Sequence, residues 1–226
     1  MNFLSHYYFD RLSDDANVVM GTVLPDLIKN ASKEANLYPQ KNEFLFKGNP
    51  AEEALLAGWK RHLAVDLYFH SSNFFFEKTA ELKQLIKPIV EHTHVRPSFL
   101  AHIGLELLLD HLLIEENYIQ VTGFYNNLQA VEQKALTDFL EHCGLKNQDV
   151  FFRFLADFIS SKYLLSYQKL DNISYALNRI CMRVWPETMT EIQLQQLTIQ
   201  LEAFKNVLEK DFMDIFREID IKLQTP

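Results

Sequence analysis

Glycine and proline are scarce in this chain, 6 and 7 in 226 residues, which is too little punctuation for an all-β fold with its many turns. Cysteine is scarcer still. Cys143 and Cys181 fit no CxxC pattern and point to a reducing compartment. Positive charge is also in short supply: 22 Lys and Arg face 30 Asp and Glu, a net charge of −8 with a pI near 5.5. That balance argues against a nucleic-acid binder relying on bulk electrostatics. No charged segment followed by an apolar core opens the sequence, so no signal peptide is expected. Apolar runs such as 103–114 are too short to span a bilayer and are interrupted by Glu106, Asp110 and His111. A cytoplasmic protein is the expectation.

What is abundant is apolar and helix-forming. Hydrophobic residues make up 48% of the chain, so it folds around a substantial core. Long stretches rich in Leu, Glu, Lys, Gln and Ala favour helix. The expectation is an all-α protein, with helices over about 51–70, 74–91 (despite Pro88), 98–114, 128–142, 148–168, 171–184 and 189–222. A short helix carrying His6 opens the chain, Asn17 is positioned to cap a second, and Gly21 to Asp26 reads as a break at Pro25. Ser98 is the expected cap of the 98–114 helix.

Two of these helices carry unusual side chains. His62, Asp66 and His70 are spaced by four, and so are His102, Glu106 and Asp110, with His111 next. A four-residue step turns a helix only about 40°, so each triple forms one stripe. The first stripe shares its sector with Leu55, Trp59 and Leu63; the second lies on a segment apolar almost all round. An unpaired carboxylate there would cost several kcal/mol or neutralise. Histidines and carboxylates are what a divalent cation takes from protein. Two such stripes facing each other define a metal site between buried helices, with a His–carboxylate network as the alternative.

With His6, Asp26, His62, Asp66 and the Asp110-His111 pair read together, the chain resembles the bacterial acyl carrier protein phosphodiesterase family. The opening MNFLSH is similar to that family's MNFLAH, and Gly21 to Asp26 to its G-N-x-x-x-D segment. In the family's G-x-x-x-H-R-x-I-D-x-x-T-D helix, Gly58, His62, Val65 and Asp66 agree, while Leu63 replaces Arg and His70 replaces the last Asp. The D-x-x-x-D-H-F-L segment appears as Glu106, Asp110, His111, Leu112 and Leu113. Tyr163, Tyr167, Leu177 and Arg183 look similar to a weaker C-terminal pattern. Extra residues fall around 31–50 and 115–150.

The resemblance implies one domain over 1–226, remotely similar to the helical HD-domain phosphohydrolases. It also implies release of 4′-phosphopantetheine from holo-acyl carrier protein with a divalent metal, manganese first, magnesium or iron as alternatives. The ligand candidates are then His6, Asp26, His62, Asp66, His70, His102, Glu106, Asp110 and His111, with Asp110 or Asp26 orienting the attacking water. Lys60, Arg61, Arg96, Lys162, Arg179 and Arg183 are candidates for a local basic surface facing an acidic carrier. Leu63 removes a guanidinium suited to phosphate and keeps a non-catalytic carrier-binding protein in view. A di-iron carboxylate protein is a further alternative, although the paired Glu-x-x-His spacing of such bundles is missing.

Overall fold

Eleven α-helices and three short 3-10 turns make up the computed structural model, which describes residues 1–224, and no strand occurs among them. The order is α1 (Phe3–Asp10), α2 (Ala16–Ala31), α3 (Pro50–His70), α4 (Asn73–Val90), α5 (Pro97–Glu115), α6 (Val121–Ala130), α7 (Gln133–His142), α8 (Gln148–Ser161), α9 (Leu170–Met182), α10 (Glu191–Leu208) and α11 (Phe212–Gln224). The all-α expectation holds. The chain separates into two compact units. One holds Met1–Ser5, Leu67–Tyr118 and the chain from Leu164 onward; the other holds His6–Asp66 and Ile119–Tyr163.

In the first unit α5 is the central element. It packs on α4, α9 and α10, and its Leu100, Leu105, Leu107, Leu108, Leu109, Leu112 and Leu113 are all sealed from solvent. By length and composition α5 is apolar enough to cross a membrane, yet 67% of that window is buried inside the protein. Helix α4 presents Leu82, Ile86 and Ile89 to the interior and runs through Pro88 to Val90. The expected single helix over 189–222 is two. In the turn between α10 and α11, Asp211 accepts from Lys78 on α4 at 2.7 Å.

In the second unit α2 packs against α6 and α8. The expected break at Pro25 is absent: α2 runs through it. Proline removes one N–H, the partner of the Gly21 carbonyl, and burial of Val19, Met20, Val23, Leu24, Leu27 and Ile28 outweighs that loss. Asp15, not Asn17, is the cap, accepting from Asn17 N at 2.9 Å. On α5 the cap position is Arg96, not Ser98, because Pro97 takes the first helical place, where no N–H is needed. The expected 128–142 helix divides into α6 and α7, and the 148–168 helix stops at Ser161, where Lys162 turns left-handed at φ 46°.

Helices α2 and α3 meet through two glycines. A Cβ on Gly21 would lie 2.2 Å from the Leu55 carbonyl oxygen, and one on Gly58 would lie 2.1 Å from that of Val18. Both contacts are with backbone, so neither can be relieved by a rotamer change. The crossing brings the carbonyl of Thr22 to the side chain of His62.

Candidate metal centre

Two clusters of ligand-capable side chains occur among the described residues: His6 with His62 and Asp66, and His70 with His102 and Glu106. In each, one ligand atom per residue lies within 4.8 Å of the others.

The first cluster belongs to the second unit. His62 Nδ1 lies 2.8 Å from the Thr22 carbonyl. A carbonyl only accepts, so Nδ1 carries the proton, and in the neutral ring the lone pair is on Nε2. A second-neighbour carbonyl of this kind is what orients a metal-binding histidine. Nε2 lies 3.6 Å from Asp66 Oδ2, and His6 Nε2 lies 3.2 Å from Oδ1. The His6 and His62 rings stack with centroids 3.8 Å apart, 17° from parallel.

His6 is 0% exposed, yet neither of its nitrogens makes a hydrogen bond of acceptable geometry; the Nε2–Asp66 contact is close but poorly aligned. Buried polar atoms almost always find partners, so this orphaned ring fits a missing cation. Burial, reinforced by the facing His62, lowers the His6 pKa to about 4. Burial pushes the Asp66 carboxyl up, but neighbouring groups, the facing His6 foremost, outweigh it and hold that carboxyl well below the usual range. The cluster therefore offers a neutral His6 imidazole and an ionised Asp66, forms that a cation requires.

Around it lies a layer the stripe pattern did not reveal. Asp10, buried, accepts from Thr22 Oγ1 at 2.7 Å and pairs with Arg61 Nε at 3.3 Å. Its spacing of four from His6 was the only sequence signal. Arg61 is thus engaged within the protein, as is Lys60, 2.8 Å from Glu43.

The second cluster belongs to the first unit, on the last turn of α3 and on α5. His70 Nε2 and His102 Nε2 are 3.1 Å apart, and they lie 3.3 and 3.0 Å from Glu106 Oε1. The Met1 amino group lies 3.2 Å from the same oxygen. Burial pushes the Glu106 carboxyl up, but the Met1 amino group and the two imidazoles hold it well below the usual carboxylate range.

Asp110, His111 and Asp26 belong to neither cluster. Asp110 is 0% exposed. It accepts from Asn2 Nδ2 at 2.8 Å, Leu4 N at 3.1 Å, Ser5 N at 2.7 Å and Ser5 Oγ at 2.6 Å. It thereby satisfies the free N–H groups at the start of α1, a capping task. Burial pushes its carboxyl up to about 7, against the pull of those donors. His111, buried, bonds through Nδ1 to the Tyr167 carbonyl at 2.7 Å, with Nε2 3.5 Å from Glu115. Asp26 sits within α2, half-buried, where its carbonyl accepts from the Asn30 side chain.

An all-α chain with two buried-to-half-buried histidine and carboxylate clusters is a candidate metalloprotein. Compared with known families, it matches the acyl carrier protein phosphodiesterase model over residues 1–219, and the protein belongs to that family. No curated protein and no solved structure matches it.

Proposed function

We propose that the protein is a metal-dependent phosphodiesterase acting on the phosphopantetheine arm of holo-acyl carrier protein, with His6, His62 and Asp66 as its centre. The observation that carries this reading is the sealed His6 ring, without a hydrogen bond on either nitrogen and facing Asp66, in a chain of this family. His6 Nε2, His62 Nε2 and Asp66 would hold a divalent cation. Manganese is the first candidate on the family resemblance, with iron next; magnesium, which prefers oxygen donors, suits two imidazoles less well. Such an ion supplies charge for phosphoryl oxygens and acidifies a nearby water. The Thr22 carbonyl holds His62 in the required tautomer. Asp66, 34% exposed, is the member of the cluster that meets solvent and therefore faces an incoming phosphodiester. Attack of water forms a new P–O bond and breaks the bond to the carrier serine, whose oxygen leaves with a proton.

The carrier would be the partner and lipid synthesis the setting. The two free cysteines suit a cytoplasmic location. A second reading, a non-catalytic carrier-binding protein, is favoured by Leu63, which stands 38% exposed where an arginine is expected.

The test is to incubate protein, manganese and holo-carrier and weigh the carrier by mass spectrometry. Loss of the phosphopantetheine mass, abolished in Asp66→Ala, supports the hydrolase. An unchanged carrier, with folded and metal-loaded protein, rejects it in favour of the binder.

A further inference from the structure

The His70–His102–Glu106 cluster gathers three of the places where this chain departs from the family pattern it resembles: His70 for Asp, Glu106 for Asp, and His102 added one turn earlier. Its three ligand atoms lie within hydrogen-bond distance of one another. Their separations are 3.1, 3.3 and 3.0 Å. Ligands about 2.1 Å from a metal stand about 3.4 Å apart at a tetrahedral angle and about 3.0 Å apart at a right angle. The observed triangle falls between those limits, so its spacing is that of three ligands on one ion.

The imidazoles are also held in place. Phe75 packs edge-on against both, 4.9 Å from His70 and 5.0 Å from His102, at 77° and 79°, and Phe69 packs edge-on against His70 at 5.1 Å. An apolar wall that fixes ring orientation and limits water on one side is what a metal site asks of its surroundings. The other side is open: the His70 and His102 side chains are 33% and 39% exposed, while Glu106 is 11%. Two imidazoles and one carboxylate, with a solvent-facing position left over, are the donor set of an open zinc-type site. Magnesium and calcium prefer oxygen donors throughout.

We infer that His70, His102 and Glu106 form a binding site for a nitrogen-preferring divalent transition metal of the zinc and cobalt class, with one coordination position open to solvent. The ion pair of Glu106 with the Met1 amino group is the arrangement it competes with. This site is independent of the hydrolase reading, which rests on His6, His62 and Asp66.

Chelator-stripped, untagged full-length protein titrated with cobalt(II), read by visible absorption and by bound metal after gel filtration, tests it. His70→Ala and His102→Ala replace partly exposed side chains and should leave the circular dichroism spectrum unchanged. Each should lose one equivalent of bound cobalt, and the same equivalent, because the double variant loses no more than either alone. His62→Ala should retain the cobalt absorption that His102→Ala removes. Zinc should displace that cobalt. Folded His70→Ala and His102→Ala proteins with wild-type stoichiometry and spectrum would overturn the site. That result would leave the hydrolase standing, just as an inactive wild type with intact cobalt binding at His102 would leave this site standing.

Discussion

The imidazoles of His6 and His62 lie face to face, 3.8 Å between centroids, in a pocket that seals His6 from water. Two protonated rings are disfavoured in that arrangement, and burial keeps His6 the neutral one. That burial also ties stability to pH. His6 titrates near 6.5 when unfolded and at about 4 when folded, so below about pH 6.5 the unfolded chain binds the extra proton. Stability present above that pH is lost as pH falls toward 4, by roughly 3 kcal/mol in all.

Asp110 works in the opposite sense, since its raised folded pKa favours the fold as pH falls from about 7. The two are separated by comparing His6→Ala with wild type, in which Asp110 cancels. Urea unfolding of metal-free protein at pH 7 and pH 4.5 should show a smaller acid loss in His6→Ala. Equal losses would mean that His6 is protonated in the native state.

Replacing Asp110 with Ala is expected to destabilise the protein by about 3 kcal/mol, because four donors, two of them backbone N–H groups, are left facing a cavity. Asp110→Asn keeps acceptor capacity on one oxygen and should cost less than half as much. Urea midpoints measure both. A loss under 1 kcal/mol in Asp110→Ala would show that the first turn of α1 is held by something else.

The close crossing of α2 on α3 predicts that Gly58→Ala is among the most damaging single-methyl changes in the molecule. Its Cβ would meet the Val18 carbonyl oxygen at 2.1 Å, so the helices must separate, at a cost of about 3 kcal/mol or more. Separation also pulls the Thr22 carbonyl from His62. Metal content should therefore drop along with the melting temperature in protein that still folds. A stable Gly58→Ala with full metal content would contradict this account.

The four-residue spacing made part of each cluster legible in the sequence, because it pairs His62 with Asp66 and His102 with Glu106 on single helix faces. It could not say how the stripes would be completed. His70 leaves its own stripe to join His102 and Glu106, and His6 joins His62 and Asp66. Those choices are made by tertiary packing between segments tens of residues apart, which periodicity does not encode. Packing likewise decides the surroundings of Asp110: the stripe suggests a ligand, and the start of α1 occupies both of its oxygens. Proline misled at position 25, since local propensity yields to a run of buried apolar residues. The membership of α5 in the core, by contrast, was visible from its nearly unbroken apolar composition.

Leu63 gives the sharpest test of whether the family substrate has been kept. The side chain is 38% exposed on α3, one residue from His62, so an arginine there reaches solvent without disturbing the core and should change stability by no more than about 0.5 kcal/mol. A guanidinium offers a phosphodiester two parallel N–H donors that leucine cannot. If holo-carrier protein is the substrate, Leu63→Arg should raise the rate of phosphopantetheine release several-fold, mainly through a lower KM, because the new contact forms with the bound phosphate before reaction as well as during it. The gain should shrink as salt is added, as expected for a charge contact near the surface. A folded Leu63→Arg protein that cleaves a generic phosphodiester faster but holo-carrier no better would place the substrate elsewhere. Unchanged rates on both would show that position 63 does not face the phosphate at all, and that the departure from the family pattern there is neutral for catalysis.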